Sequence, residues 1–507
     1  MMTPFSKSWK ALFTAFFVVL IAADSQAQKK TAYPEDQLSQ EEMAAHLRFI
    51  ASDKLLGRMT GTPGCNEAAR YIAGEFKKSG LAAFQSAEGY FQRVPLFRRM
   101  PPGKGTIVLM GDSLNQSNRM ALRSGGTLNW SGRFEYVGYG MVDSAKGIDD
   151  YRGIDVKGKV VLARFGQKGE TNFRASLTSS AEAKKRTAQA RGAVALVELY
   201  QGQREWKSVV TFLARPGIET GAADGGFSHF IVEDTSMGYV SKVQSKSSGE
   251  IVLQTDGIRQ EEMRAQNVIG FIRGSDPKLR DEYILLTAHY DHIGVGKPEG
   301  PTADSIYNGA RDNGMGVVAL IAAAKSFSVD PPQRSVIIAA VTGEEIGMFG
   351  SRHLAAEPPV PMGKIVFDLN IDGAGYDDTT IVTVVGLERT SAESAIKEGT
   401  ERYGLMVMAW PSGQTDLFNR SDNASFAGRG VPAPTFSEGF HSFGPEILKY
   451  YHRAADQADE NFNFSYLLKF CKAFVHSARL ISDMPVAPFW KPGDPYEQAG
   501  KKLYQRN

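Results

Sequence analysis

The sequence predicts an α/β protein with a central mixed, largely parallel sheet flanked by helices, and a smaller inserted domain. Apolar runs at 283–286 and 335–341 have the length and composition of buried parallel strands. Between them, 314–327 carries apolar residues at helical spacing, as in a strand–helix–strand unit. From about 112 to 257, short strand-like runs and glycine-rich turns replace this pattern, which indicates a separate unit.

Length and composition are those of a multidomain globular protein. At 507 residues the chain is too long for one ordinary core. A hydrophobic content of 42 % and a charged content of 22 % are globular values, and a net charge of +2 gives no sign of nucleic-acid binding. We expect a signal peptide at 1–27, a main domain in two parts at 28–111 and 261–484, an insert at 112–260, and a C-terminal tail at 485–507.

The N-terminus has the pattern of a secretory signal peptide. Lys7 and Lys10 precede an apolar run at 11–23, and Ser25-Gln26-Ala27 offers a cleavage site between small residues. The run is short for a membrane span, although an uncleaved anchor remains the alternative. We therefore expect export to the periplasm or the cell exterior, with no stable membrane span after cleavage.

The predicted elements are taken in order along the chain. Helical spacing covers 41–51 and about 64–79, and 90–110 forms two strands separated by Pro101-Pro102-Gly103. In the insert we expect strands at 134–140, 155–162 and 192–197, and a helix at 181–190. Afterwards we expect strands at 267–273, 283–288, 335–341, 364–370 and 433–436, and helices at 314–327 and 461–481. The polar, proline-rich tail is expected to pack loosely or not at all.

The cysteine count limits the possible kinds of site. Cys65 and Cys471 are the only two in the chain, so neither a disulfide framework nor a cysteine-based zinc site is available. Whether the two form a disulfide or remain separate buried thiols stays open, since sequence does not give the distance between them.

Candidate metal ligands share one position, at or just after the carboxyl ends of predicted strands, where parallel sheets place their sites. They are His289, Asp312, Glu345, Asp372 and, before the last helix, His452. A single histidine or acidic pair is more often structural, and only their coincidence at one sheet edge favours a site. Histidines and carboxylates together suit zinc, with one carboxylate bridging two ions.

Two further carboxylates have positions that suit supporting roles. Asp291 is two residues from His289, so on an extended chain both face one side and the carboxylate can fix the imidazole tautomer. Glu344 precedes Glu345 at a strand end, where adjacent side chains diverge. One glutamate can therefore bind a metal while the other faces the water that the metal activates.

Five ordered motifs, AHYDH, GARDNGMG, TGEEIGMFGS, NIDGAG and YYHRAAD, resemble those of the M28 di-zinc aminopeptidases, a branch of the zinc exopeptidases. The resemblance covers about 35–110 and 262–484. It implies two zinc ions per chain, with Asp312 bridging them, Glu345 and His452 completing one site, and His289 and Asp372 completing the other. It also implies Glu344 as the general base, Asp291 as the partner of His289, and a cis peptide after Asp312.

A second resemblance concerns the insert. The pattern GKVVL…A…ARGAVALV resembles the protease-associated domain that several secreted peptidases carry. The alternative is any small α/β insert.

Some residues compete with this assignment or depart from it. His292 and His441 are rival ligands, ranked second because His292 is out of phase with His289 and His441 lies in a glycine-bounded loop. His46, His229, His353 and His476 are expected to be structural or surface residues. Many relatives have Ser-Asp-His where this chain has Ser421-Asp422-Asn423, which leaves open which group helps to hold the substrate.

These patterns together predict a zinc-dependent aminopeptidase acting on peptides. Two alternatives use the same fold: a glutaminyl cyclase-like enzyme with one zinc, and a receptor-like protein without catalysis. Because all five ligand positions are filled, the sequence argues against the receptor-like alternative. The substrate-binding residues and the oligomeric state are not predicted.

Overall fold

The structure is a computed structural model in which residues 32–202, 204–221, 226–235, 238–410 and 416–505 are described. The predicted signal peptide lies outside these residues. The helices are α1 (Gln40–Ile50), α2 (Pro63–Lys78), α3 (Phe173–Leu177), α4 (Ser179–Ala190), α5 (Trp206–Leu213), α6 (Tyr239–Ser245), α7 (Met315–Val329), α8 (Phe349–Ala356), α9 (Glu393–Glu401), α10 (Asn423–Ala427), α11 (Pro445–Leu448), α12 (Phe464–Ser482) and α13 (Glu497–Tyr504).

The strands form two large sheets and two small hairpins. The first sheet contains β1 (Phe91–Met100), β10 (Gly217–Thr220), β13 (Arg259–Ile272), β14 (Tyr283–His289), β17 (Ser335–Val341), β18 (Ile365–Ile371), β19 (Ile381–Val385), β20 (Met406–Ala409) and β21 (Thr435–Glu438). The second contains β2 (Gly105–Leu109), β3 (Asp112–Asn115), β4 (Met120–Ser124), β5 (Leu128–Tyr136), β8 (Val160–Arg164), β9 (Ala195–Tyr200), β11 (Ser228–Glu233) and β12 (Ser248–Thr255). The hairpins are β6 (Val142–Asp143) with β7 (Ile148–Asp149), and β15 (Gly294–Glu299) with β16 (Asp304–Tyr307).

The first sheet is mixed and has the order β10-β1-β13-β17-β14-β18-β21-β19-β20. Its centre is parallel, since β14 lies between β17 and β18 and runs in the same direction as both. These strands are buried along nearly their whole length, as their continuous apolar runs predict. The predicted fold class is therefore confirmed.

Helix α7 connects two of the central strands and lies inside the protein. It was expected to bury one apolar face, yet almost every side chain of α7 is buried. The helix packs against β14 and β17 on one side and against α1, α2 and α12 on others. A helix that is apolar all round must be enclosed in this way. Because α7 is packed on all sides, the residues at its N-terminus have a fixed position.

The second sheet is formed by the chain between β1 and β13. Strand β2 already belongs to it, because residues 105–109 pair with β12. The chain thus leaves the first sheet at the predicted Pro101-Pro102-Gly103 turn, a few residues before the expected boundary at 112. Strand β10 is an exception within this region, because it pairs with β1 in the first sheet.

The C-terminal tail is packed, contrary to the expectation from its composition. Trp490 is buried and its Nε1 donates to the carbonyl oxygen of Gly430. Arg389 forms an ion pair with Asp494, with Nε 2.6 Å from Oδ2. Together with a second ion pair, between Lys491 and Glu393, these contacts hold the segment against the main domain. Among the described residues, no helix combines the length and apolar character needed to cross a membrane.

Candidate metal centre

The candidate residues converge at the carboxyl edge of the central strands. His289 is the last residue of β14, Glu344 and Glu345 come after β17, and Asp372 comes directly after β18. Because these strands are parallel and adjacent, their ends bring these side chains together. Asp312 joins them from a distorted turn, Ala310–Gly314, at the start of α7, and the implied cis peptide after Asp312 is confirmed.

One cluster contains His289, Asp312 and Asp372. Nε2 of His289 lies 3.2 Å from Oδ1 of Asp372 and 3.3 Å from Oδ1 of Asp312. The other ring nitrogen, Nδ1, lies 3.2 Å from the carbonyl oxygen of Asp291, to which it can only donate. That bond fixes the tautomer and leaves the lone pair of Nε2 facing the two carboxylates, as a metal ligand requires.

A second cluster surrounds Glu345. Its Oε1 lies 2.7 Å from Nδ1 of His292, and its Oε2 lies 3.0 Å from Nε2 of His452. Nε2 of His452 is also 3.3 Å from Oδ2 of Asp312. The structure therefore places both the preferred ligand, His452, and its rival, His292, beside the same glutamate.

Asp312 belongs to both clusters, with one carboxylate oxygen facing each. Its position is fixed by Asp456, whose Oδ2 accepts hydrogen bonds from the backbone N–H groups of Arg311 and Asp312 at 2.9 and 3.1 Å. The Arg311 guanidinium donates to Oδ1 of Asp456 at 2.9 Å. Asp312 is thus held with one oxygen 3.3 Å from His289 and the other 3.3 Å from His452.

Asp291 supports the site differently from the expectation. Its carboxylate is 3.8 Å from Nδ1 of His289, too far for a hydrogen bond, and the imidazole is held by the backbone carbonyl instead. Oδ1 of Asp291 accepts from the backbone N–H of Glu344 at 3.3 Å, and Oδ2 accepts from Thr60 Oγ1 at 2.8 Å. Asp291 therefore links the loop after β14 to the loop that carries Glu344.

The electrostatics of the two clusters favour positive charge. Burial by itself lowers the pKa of His452, but hydrogen bonds with Asp312 and Glu345 outweigh it and raise the pKa to about 10. The pKa of His289 is also raised, because the charge of Asp372 and the hydrogen bond with Asp312 outweigh burial. Burial by itself raises the pKa of Asp312, but hydrogen bonds from both histidines lower it. The carboxylates thus stabilise cationic partners strongly.

Glu344 and Asp422 behave in the opposite way. Burial raises the pKa of Glu344 to about 10, and the charges of Asp372 and Asp422 act in the same direction. Burial also raises the pKa of Asp422 to about 7, again with a contribution from Asp372. Glu344 is therefore a carboxyl group that holds a proton more firmly than an ordinary glutamate, and cations bound among these carboxylates would lower its pKa.

The residues present fit a metal ion. His292 Nδ1 and Glu345 Oε1 face each other at 2.7 Å without hydrogen-bond geometry, and both are buried atoms that lack a hydrogen-bond partner in the described structure. Buried polar atoms are normally satisfied, so this pair requires another partner. A cation between histidine and carboxylate donors would supply it, and the donor types match zinc.

A pocket opens beside the clusters. Asp312, Glu344, Asp372 and His452 line its polar side. Its other walls are mainly apolar and include Ala374, Val385, Leu417, Phe440, Phe443 and Tyr451. A substrate that places a polar end at the carboxylates and an apolar group against these walls would fit this shape.

The remaining sequence candidates lie elsewhere. Asn423 is fully buried and its amide donates to the carbonyl of Ala433 at 3.1 Å, so it takes a structural position. His441 is 3.1 Å from Asp377 on the surface, apart from both clusters. His46, His229 and His476 are buried in hydrogen bonds with other side chains, as expected of structural histidines. Cys65 and Cys471 are both buried and unpaired.

Sequence reasoning missed the residues that hold the site from a distance. Thr60 binds Asp291, and the guanidinium of Arg58 donates to the carbonyl oxygens of Tyr290 and Gly309 at 2.8 and 3.0 Å. Both lie between the helices predicted at 41–51 and about 64–79, in a stretch for which the sequence predicted no element. Asp456 was quoted within the YYHRAAD motif, but no pattern showed that it would bind the loop of Asp312.

Comparison with known proteins places these residues in a family. Residues 267–474 match Peptidase family M28. The chain is 28 % identical over 179 residues to the vacuolar membrane protease of Sordaria macrospora, which covers 32 % of this chain and 16 % of that protein. It is 24 % identical over 200 residues to aminopeptidase YwaD of Bacillus subtilis, covering 38 % and 40 % of the two chains. The chain thus spans less than half the length of these curated relatives.

Two of the solved structures that resemble this chain are described by name as aminopeptidases. An aminopeptidase from Aneurinibacillus sp. strain AM-1 has 18 % sequence identity and a TM-score of 0.48, over 91 % of this chain and 98 % of that chain. BSAP, a zinc aminopeptidase from Bacillus subtilis, has 18 % identity and a TM-score of 0.43, over 87 % and 94 %.

The expectation of export is wrong by these comparisons. Curated relatives from several fungi are named vacuolar membrane proteases, which points to a vacuolar membrane and away from the periplasm or the cell exterior. The expectation depended on an apolar N-terminal run, and such a run occurs in membrane anchors as well as in cleaved signal peptides.

The family match covers every predicted ligand and both glutamates after β17, and it begins within β13 and ends within α12. The prediction of a peptidase is thereby confirmed at the level of the family. Residues 267–474 of this chain belong to peptidase family M28.

Proposed function

We propose that this protein is a zinc-dependent aminopeptidase that hydrolyses the N-terminal peptide bond of peptides. The observation that supports this most strongly is the position of Asp312, whose two carboxylate oxygens each lie 3.3 Å from a histidine of a different cluster. A shared carboxylate between two donor sets suits two metal ions close together. The family match and the names of the aminopeptidase relatives agree with this proposal.

In the proposed site, His289 and Asp372 would hold one zinc and Glu345 and His452 would hold the other, with Asp312 shared by both. His292 lies close enough to Glu345 to compete with His452 for the second ion. Zinc ions bound here would polarise the scissile carbonyl and lower the pKa of the attacking water. The two donor sets would thus hold the metal ions, and a residue outside them would transfer the protons.

Glu344 is the proposed general base. It lines the pocket with Asp312 and Asp372, and its backbone N–H is fixed by Asp291. Its carboxylate would accept the proton of the attacking water and donate it to the leaving amine. The free α-amine of the substrate would lie near the carboxylates, which would restrict cleavage to the chain end.

We also propose that residues 112–260 form a protease-associated-like insert that acts on substrates and not on metals. The metal-binding clusters found in the described structure all come from the main domain. The observed second sheet, which begins at β2, is the structural counterpart of this proposed unit.

Two measurements on the purified protein test the function. Elemental analysis should find two zinc ions per chain, and an unblocked peptide should release its first amino acid while the N-acetylated peptide does not. One zinc with cyclisation of N-terminal glutamine would favour the glutaminyl cyclase alternative. Absence of both zinc and hydrolysis would favour the receptor-like alternative and refute the proposal.

A further inference from the structure

Two strands of the first sheet continue beyond the edge where the metal centre lies. Val268 of β13 pairs with Ala340 near the end of β17, and Phe91 of β1 pairs with Val268. From there the two strands remain paired as far as Met100 and Arg259. This two-stranded ribbon therefore extends from the edge of the sheet where the metal centre lies, and the insert is attached to its far end.

The insert adds its own strand to the ribbon. Strand β10 pairs with residues 96–99 of β1, and Ile218 of β10 packs into an apolar cluster with Ile346 and Phe349. These last two residues lie shortly after Glu345 in sequence. The insert and the segment that follows both glutamates therefore pack against the same apolar cluster, formed by Val94, Leu96, Met263 and Ala265.

A groove of about 780 Å³ beside this cluster is lined by Ile218 of β10, by Phe349 of α8 and by residues of the insert. Its charged lining consists of Arg99, Arg123, Lys185, Arg215, Glu182 and Glu219. Both acids are already engaged, since Glu182 lies 2.8 Å from Arg123 and Glu219 lies 3.5 Å from Arg99. Within the described part of the chain, neither Lys185 nor Arg215 forms an ion pair with a carboxylate.

The lining also offers an apolar contact beside the positive charge. Phe212, on α5, has 46 % of its surface exposed, and Arg215 is exposed a few residues further on. Exposed aromatic and arginine side chains are the types enriched where proteins bind peptides. The groove thus has an excess of positive charge together with an uncovered aromatic ring.

The charges of the groove and of the metal centre are opposite. The metal centre is rich in carboxylates and suits the amino end of a peptide, whereas the groove suits carboxylates. Residues 96–99 lie five to eight positions beyond Phe91, so the groove begins about 17 to 26 Å from the sheet edge at roughly 3.3 Å per residue. An extended peptide needs about five to eight residues to cover that distance.

Resting on the proposed aminopeptidase function, we propose that this groove binds the carboxyl-terminal part of the substrate. The preferred substrates are peptides of about eight residues or more whose far end carries carboxylates. Shorter peptides reach the metal centre alone and gain nothing from the groove.

The test compares the double variant Lys185→Ala/Arg215→Ala with the charge-matched control Lys168→Ala/Arg152→Ala, which removes two exposed cations of the insert away from the groove. Substrates share one N-terminal sequence and are a tripeptide, a decapeptide with an acidic far end, and the same decapeptide with neutral residues and an amidated end. For the groove variant we expect KM on the acidic decapeptide to rise about tenfold with kcat unchanged, since exposed charge contacts contribute modestly. KM on the tripeptide should not change.

Binding of the fluorescently labelled acidic decapeptide to zinc-stripped protein, monitored by anisotropy, separates the two proposals. We expect the groove variant to bind it about tenfold more weakly than the control, and the difference to shrink at high salt. Equal binding by both variants, or an equal KM change on the tripeptide, would overturn the groove proposal. Failure of every variant to cleave any peptide, with the binding difference intact, would refute the aminopeptidase function alone.

Discussion

Replacement of Glu344 by glutamine tests the proposed mechanism most directly, because it preserves size and polarity but removes the group that accepts a proton. The backbone N–H of Glu344, which donates to Asp291, is untouched, and Glu344 is only partly buried. We therefore expect the free energy of unfolding to change by less than about 1 kcal/mol. Loss of a general base should lower kcat about 10²- to 10⁴-fold, or roughly 3 to 5 kcal/mol of transition-state stabilisation.

The assay measures zinc content, kcat and urea unfolding for Glu344→Gln beside Glu345→Gln. Glu345 lies within 3.0 Å of two histidine nitrogens, so its variant should lose metal affinity, whereas Glu344→Gln should retain both ions. A Glu344→Gln enzyme with near wild-type kcat, or one that loses zinc while Glu345→Gln keeps it, would show that the two roles have been assigned wrongly.

Three further predictions concern metal binding and stability. Elemental analysis should show that His452→Ala weakens mainly one of two zinc sites and Asp312→Ala disturbs both, because only Asp312 faces both clusters; two tightly bound ions in both variants would contradict this. Arg58 is fully buried and donates to four backbone carbonyls. Urea unfolding should therefore show that Arg58→Met lowers the free energy of unfolding by about 3 to 5 kcal/mol. A decrease below about 1 kcal/mol would refute a stabilising role for Arg58. In the insert, burial by itself raises the pKa of Glu198, but the charge of Lys184 together with the hydrogen bonds from His229 and Lys184 outweighs it, and the pKa falls to about 2. Because the folded pKa lies below the ordinary value of 4.5, this stabilisation is present above pH 4.5 and is lost as the pH falls toward 2. Lys184→Met should therefore lower the free energy of unfolding by about 3 to 5 kcal/mol at neutral pH and reduce the further loss of stability in acid. Urea unfolding at several pH values measures this, and an unchanged pH dependence would contradict it.

The sheet and its edge were predictable because their signals are local. The runs 283–286 and 335–341 are continuous and apolar, and adjacent parallel strands bring the residues after their carboxyl ends to one edge of the sheet. His289, Glu345 and Asp372 were found in this way.

His292 was ranked second by an argument from strand alternation. Strand β14 ends at His289, so the two-residue period no longer applies three positions later, and the chain turns His292 toward Glu345. The strand was predicted to end at 288, so alternation had no bearing on His292, whose direction depends on the turn that follows the strand.

Other features had no local signal at all. Thr60 and Arg58 act on residues more than two hundred positions away. The four-residue strand β10 is too short to show a period, so nothing in its sequence indicated that it would leave the insert and pair with β1. The tail's proline-rich composition gave no sign of the side chains that anchor it, such as Trp490 and Asp494.

The pairing of Met100 with Arg259 has a consequence for how the chain folds. Forming this pair from an unfolded chain closes a loop of about 160 residues, which costs about 2 to 3 kcal/mol more in entropy than closing one of about ten. If the second sheet assembles first, the chain segments that enter and leave it already lie side by side. Most of the loop-closure entropy has then been lost before β1 pairs with β13. The order of folding should then be insert before outer strands, so that mutations weakening the second sheet slow the pairing of β1 with β13 even though they lie far from it.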